Sequence, residues 1–177
     1  MVEIITQTKN WIREVVIGCN FCPFAAKEMK QDTIHYQVVT TTGIKAARLA
    51  FLAECERLDN NESIATTMVI FPEAFPVFLD YLNLVDAVER SLQQNKYEGI
   101  YQVASFHPLY QFAGTEPEDA ANYTNRSIYP MLHILREAQI ETALLNFPDP
   151  QTIPERNVNF AREKGRVYMK MLRDSCL

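Results

Sequence analysis

No motif of known mechanism is complete anywhere in this chain, so no reaction can be read off a signature alone. Basic residues are scattered rather than massed and the net charge is −5. A phosphate-backbone footprint for DNA or RNA is therefore not expected. The chain begins MVEIITQTKNW, with no apolar run behind a basic segment. That start fits neither a signal peptide nor a membrane span, and it predicts a cytoplasmic protein with no membrane partner. Repeats, low-complexity tracts and a second-domain boundary are all missing. The 177 residues suit one domain whose core needs no disulfide or structural metal. The four cysteines, Cys19, Cys22, Cys55 and Cys176, are free thiols by default in a reducing compartment. Sequons at Asn61, Asn122 and Asn125 carry no glycan without secretion.

What is present is a 47% apolar, 22% charged chain with clear periodicities, as in soluble globular proteins. Ile4, Ile5, Trp11, Ile12, Val15 and Val16 lay one stripe along a helix over 3–17, which Gly18 ends. Pro23 opens a short helix, FAAKEMK, with Cys22 at its N-cap. Strands are predicted at Ile34–Thr41, Ala65–Phe71 and Ile100–Phe106. Helices are predicted at Ile44–Leu58 and at 74–94, with Pro76 in the first turn of the latter. A long irregular segment, Leu109–Arg126, follows, in which Thr115-x-x-Glu118 can cap a turn. A helix over Ser127–Leu144 then carries a polar stripe of His133, Arg136 and Glu137. Phe147-Pro-Asp-Pro150 reads as a linker, and Thr152-x-x-Glu155 starts a last helix reaching Arg173. These elements predict an α+β fold, a two-layer sandwich of a small three-stranded sheet and about five helices. A small three-layer α/β arrangement is the alternative.

The residues suited to chemistry gather between Tyr101 and Glu137, with one outlier. Cys22, before proline and at a helix start, is either a thiolate nucleophile or redox group, or a packed core thiol. Cys19-x-x-Cys22 lacks the second ligand pair that a zinc site needs, so no metal or cofactor is expected. His107, at a strand end, and His133, on the expected helix, are candidate general acids or bases; each is alternatively an ordinary hydrogen-bonded histidine. Asn125 or Ser127 is a natural N-cap, and Arg126 beside it makes a receptor for carboxylate or phosphate, unless it meets a loop carboxylate. Arg136 and Glu137, on an otherwise apolar helix, are either a structural pair or part of a site.

The runs GCNFCPFA (18–25), YQVASFHPLYQFAGTEPEDAANYTNRS (101–127), YPMLHILRE (129–137) and IPERN (153–157) resemble a family of uncharacterised bacterial proteins of similar length, a domain of unknown function. The likeness extends from Trp11 to about Asn159. It implies a shared fold and site, but no established catalytic residue. Two positions depart from the family pattern. Cys19 stands where leucine is usual, which weakens any dithiol reading, and Ile128 stands where proline is usual.

The expected function is a small cytoplasmic enzyme or enzyme-like protein acting on a small anionic molecule. Cys22, His107, His133 and Glu137 are the catalytic candidates, and Asn20, Asn122, Asn125, Arg126, Ser127 and Arg136 the binding ones. The alternative is a non-enzymatic small-molecule-binding or protein-interaction module in which Cys22 is core. A Cys22 thiol whose pKa is raised favours that alternative. Oligomeric state is not legible from the sequence.

Overall fold

The computed structural model describes residues 1–145 and 149–177. Helix α1 (Val2–Trp11) runs on into a π-helical turn, Ile12–Ile17. Gly18 ends it through a close approach and not through a left-handed turn: a Cβ there would lie 2.2 Å from the Glu14 carbonyl oxygen. Helix α2 (Ala25–Gln31), strand β1 (Ile34–Val38), helix α3 (Ile44–Asp59), strand β2 (Thr66–Ile70) and helix α4 (Phe78–Gln94) follow, near their expected places. Strand β3 (Tyr101–Phe106) leads through a long segment with one 3-10 turn at Ala120–Thr124. Then come strand β4 (Met131–Arg136) and helix α5 (Glu137–Leu144). The chain ends with a 3-10 turn at Pro150–Thr152, helix α6 (Ile153–Lys164) and helix α7 (Arg166–Asp174).

The sheet is mixed and four-stranded, in the order β1-β2-β4-β3. β1 and β2 are parallel, whereas β4 runs antiparallel to both of its neighbours, β2 and β3. The α+β class holds. The strand count corrects the expectation of three, because the segment expected to be helix over 127–144 splits into β4 and α5. Its apolar run is the signature of a strand buried on both faces, and such a run has no period that separates it from a buried helix.

Both faces of the sheet are covered, so the α+β fold has three layers where two were expected. On one face Val69, Leu132, Ile134 and Tyr101 pack with Phe51, Cys55 and Leu58 of α3 and Tyr81, Leu84 and Val88 of α4. On the other, Val38, Met68, Ile70 and Met131 pack with Trp11, Ile12, Val15, Ala161 of α6 and Met169 of α7. The alternation of side chains along a strand assigns every β residue to one layer or the other.

Smaller corrections follow from local chemistry. Phe24, not Cys22, is the residue before α2, and no side chain caps that helix. Pro76 lies ahead of α4 instead of inside it. The last helix is two helices, broken at Gly165 with φ of 80°. Thr152 precedes α6 without a side-chain cap and donates instead to the Asp149 carbonyl. The start of the expected Phe147–Pro150 linker lies outside the described residues.

Candidate functional site

His107 follows β3 and is buried, 1% exposed. Its Nε2 lies 2.8 Å from the Phe75 carbonyl oxygen and its Nδ1 accepts from the Leu109 N–H at 3.0 Å. A carbonyl can only accept, so the ring is neutral and carries its proton on Nε2. Burial pushes its pKa down, partly opposed by the bond to Phe75. The carbonyl it holds belongs to Phe75, a non-glycine residue in the left-handed region at φ 58°, a conformation that persists only where its surroundings fix it. The rings of Phe78 and Tyr81 lie against the imidazole at 5.2 and 5.0 Å. Both ring nitrogens are thus occupied by backbone, leaving no lone pair to take a proton from a substrate.

The long segment after His107 closes on itself. Asn122 is fully buried. Its Oδ1 accepts from the Phe112 N–H at 3.0 Å and lies 2.9 Å from the Thr115 hydroxyl, and its Nδ2 donates to the Glu116 carbonyl. Asn125 donates to the Ser105 carbonyl, and its own carbonyl accepts from the His107 N–H. Arg126 donates through Nε to the Tyr110 carbonyl and through an Nη to the Pro117 carbonyl, with its guanidinium over the Tyr123 ring. Ser127 donates to the Tyr129 carbonyl and caps no helix. The expected N-cap and anion receptor at 125–127 are therefore absent: no helix begins there, and the carbonyls that Arg126 meets are inside its own loop.

His133 and Arg136 sit on β4, so the expected helical stripe is broken up. His133 points to the sheet face lined by Met68 and Met131, and Arg136 to the opposite one. Thr66 Oγ1 donates to the Ile134 carbonyl, and the His133 Nε2 meets that same hydroxyl at 2.7 Å, which makes the imidazole the donor. Burial lowers the His133 pKa to about 4. Arg136 reaches the Leu58, Asn61 and Ile64 carbonyls through one Nη and the Tyr101 hydroxyl through the other. It ties the last turn of α3 to the turn after it, and a cation there also complements the helix dipole. Glu137 opens α5, its backbone N–H bonded to the Ile100 carbonyl; it is not the buried partner of Arg136.

Cys22 packs among the residues on the α1–α6 face, whereas the His107 ring lies against α4 on the other. The structure does not bring them together. Burial pushes the Cys22 thiol up, against the opposing pull of the Phe24 and Ala25 N–H groups. Asn20, at φ 55°, offers its carbonyl to Arg156, and Asn157 donates to the Phe21 carbonyl. The IPERN run is thus the clamp on the GCNFCPFA run. Among the described residues no three His, Cys, Asp or Glu side chains gather to hold a metal. No described helix is long and apolar enough to cross a membrane.

Two features escaped the sequence reading. One is a buried carboxylate, Glu54, held by Arg57 and lying 3.4 Å from the His35 ring; its signal was a charge on the apolar stripe of α3. The other lies on the outside of the His107 region. Phe78, Tyr110 and Phe112 contact one another in series, at 5.4 and 5.0 Å. Beside them in the chain stand Val77, Leu79 and Leu109, exposed by 52, 67 and 58%. Their signal was apolar residues off the buried stripe of α4 and in a loop.

No curated protein and no solved structure matches this chain. The family described as "Protein of unknown function (DUF1415)" matches residues 3–171, a span that takes in the His107 loop, β4 and the Arg156–Asn157 clamp. The chain belongs to that family.

Proposed function

We propose that this protein is a non-enzymatic interaction module that recognises a protein partner through the strip of Val77, Phe78, Leu79, Leu109, Tyr110 and Phe112. One observation carries the reading. The polar residues that resemble a site are bonded to the chain's own backbone, and in doing so they hold in place three half-buried aromatic rings flanked by the exposed aliphatic side chains of Val77, Leu79 and Leu109. His107 fixes Phe75 ahead of α4, Asn122 folds the loop that presents Tyr110 and Phe112, and Arg126 ties that loop down. Contiguous exposed apolar surface of this kind marks interaction sites on soluble proteins. The raised Cys22 thiol weighs the same way, since a nucleophilic cysteine needs an accessible thiolate. The guanidiniums of Arg126 and Arg136 are occupied by carbonyls, which argues against a small anion as their ligand.

The surroundings of the strip define its partner. Glu73 and Asp80 stand near Val77–Leu79 in the chain, while Arg126 and Arg173 meet the Tyr110 and Pro108 carbonyls at the other half, so the partner is recognised chiefly by an apolar face. A synthetic amphipathic helix of leucine and lysine is the simplest probe. It binds the native chain in a fluorescence anisotropy titration, and Leu79→Asp with Leu109→Asp weakens it about tenfold or more, the scale for removing two buried leucine contacts. Equal binding by the double variant, or none by the native chain, overturns the proposal.

A further inference from the structure

One of the bonds that shape the loop half of the strip is made by a group that can change its charge. Pro108 has no N–H, so the Leu109 N–H is the first donor after the His107 ring, and it lies on the ring's Nδ1 at 3.0 Å. The ring's other nitrogen donates to the carbonyl of Phe75, just ahead of Val77. His107 therefore joins the two halves of the strip through one acceptor and one donor. An imidazolium has two donors and no acceptor. Protonation at Nδ1 keeps the bond to Phe75 and abolishes the one to Leu109.

We infer that His107 is a proton-operated joint: a proton taken from solvent at Nδ1 releases the Leu109 N–H and opens the loop half of the strip, while the α4 half stays fixed. The inference rests on the interaction reading above and adds its control. Leu109 is already 58% exposed, so its freed N–H turns to water without unfolding the core. The Tyr110 N–H stays on the His107 carbonyl at 3.0 Å, and the Pro108 and Tyr110 carbonyls stay with Arg173 and Arg126. Only the 108–109 peptide swings out.

The groups around the ring set the direction of the switch. From α4 come Phe78 and Tyr81, with Tyr110 of the loop behind Phe78. Burial holds both tyrosine hydroxyls above their ordinary range, so neither is an anion. Asn125, whose carbonyl takes the His107 N–H, is uncharged. The carboxylates on α4 and the segment before it that stand nearest in the chain, Glu73 and Asp80, are exposed. From α7 comes Arg173, on the Pro108 carbonyl at 3.1 Å and paired with Asp174. Among the described residues no carboxylate pairs with the ring, and burial pushes its pKa below the ordinary histidine value. The joint is closed at neutral pH and opens in acid.

Amide and imidazole nitrogen spectra of the native chain, recorded from about pH 7 down to the onset of acid unfolding, test this. At neutral pH the ring shows the Nε2–H tautomer. As it charges, the Leu109 amide loses its hydrogen-exchange protection along the same titration curve, while the Phe106 amide, bonded to the Tyr81 hydroxyl, keeps its own. The leucine–lysine helix binds the charged form about threefold more weakly, the share of one leucine in the tenfold loss from two. Coupling is reciprocal, so the bound helix lowers the ring's titration midpoint by about half a pH unit. His107→Asn, whose Oδ1 stands near the place of Nδ1 and takes no proton, keeps the Leu109 amide unchanged over the same range. A Leu109 amide that stays protected while the ring charges, a ring that stays neutral until the chain unfolds, or a charged form that binds the helix as tightly as the neutral one overturns the inference. A native chain that does not bind the helix at neutral pH, with Leu109 still opening as the ring charges, sinks the interaction reading and leaves the joint.

Discussion

Inside the segment from His107 to Ser127, side-chain donors find carbonyls of the same loop, Asn122 that of Glu116 and Arg126 those of Tyr110 and Pro117; on its outer surface Leu109, beside Tyr110 and Phe112, is 58% exposed. The inner half is polar, buried and satisfied. The outer half is apolar, exposed and unsatisfied. The difference shows how polar residues in one stretch can imitate a catalytic site while serving as scaffold: a buried amide or guanidinium is costly unless bonded, and a long loop without regular structure needs such bonds to fold at all.

Breaking the inner half has the largest effect. Asn122→Ala leaves the Phe112 N–H unpaired, while the Thr115 hydroxyl keeps the Phe112 carbonyl and the Glu116 carbonyl keeps the Asp119 N–H, and it is expected to cost about 2 kcal/mol in urea denaturation, within the one to three for a buried group left unpaired. A loss below about 0.5 kcal/mol, the range of ordinary surface changes, means that Asn122 is not a structural keystone. His133 tests the core in a different way. Its folded pKa is near 4 and its unfolded one near 6.5, so the unfolded chain binds the proton first. Stability is fully present above about pH 6.5 and falls as pH drops toward 4, by up to about 1.4 kcal/mol per unit from this group. His133→Gln flattens that slope; an unchanged slope points elsewhere. The Cys22 thiol, pushed up by burial, alkylates at neutral pH more slowly than a free cysteine peptide, and rapid labelling there would revive the nucleophile reading. The smallest effect belongs to the outer half: Leu79→Asp and Leu109→Asp change stability by about 0.5 kcal/mol or less.

Much of the fold was legible. The stripe of Trp11, Ile12, Val15 and Val16, the β-branched run of β1 and the spacing of α3 and α4 each follow from a single period. β4 was not, because Met131 to Leu135 is apolar on both faces of a central strand and the one polar member, His133, falls where a helix would also place it. The gathering of polar residues around His107 was legible, but their role was not. Sequence places Arg126 and Arg136 in polar motifs, yet it cannot say that the acceptors waiting for them are the Tyr110, Pro117, Leu58 and Ile64 carbonyls. Cys22 and His107 fell on opposite faces for a similar reason: chain order carries no record of which layer a loop returns to.

The most direct test of the division between scaffold and surface is amide chemical-shift mapping of the native chain titrated with the leucine–lysine helix. Shifts confined to Val77–Leu82 and Leu109–Phe112 are the predicted result. Shifts centred on Cys22, His133 and Arg126, with the strip unmoved, would contradict it.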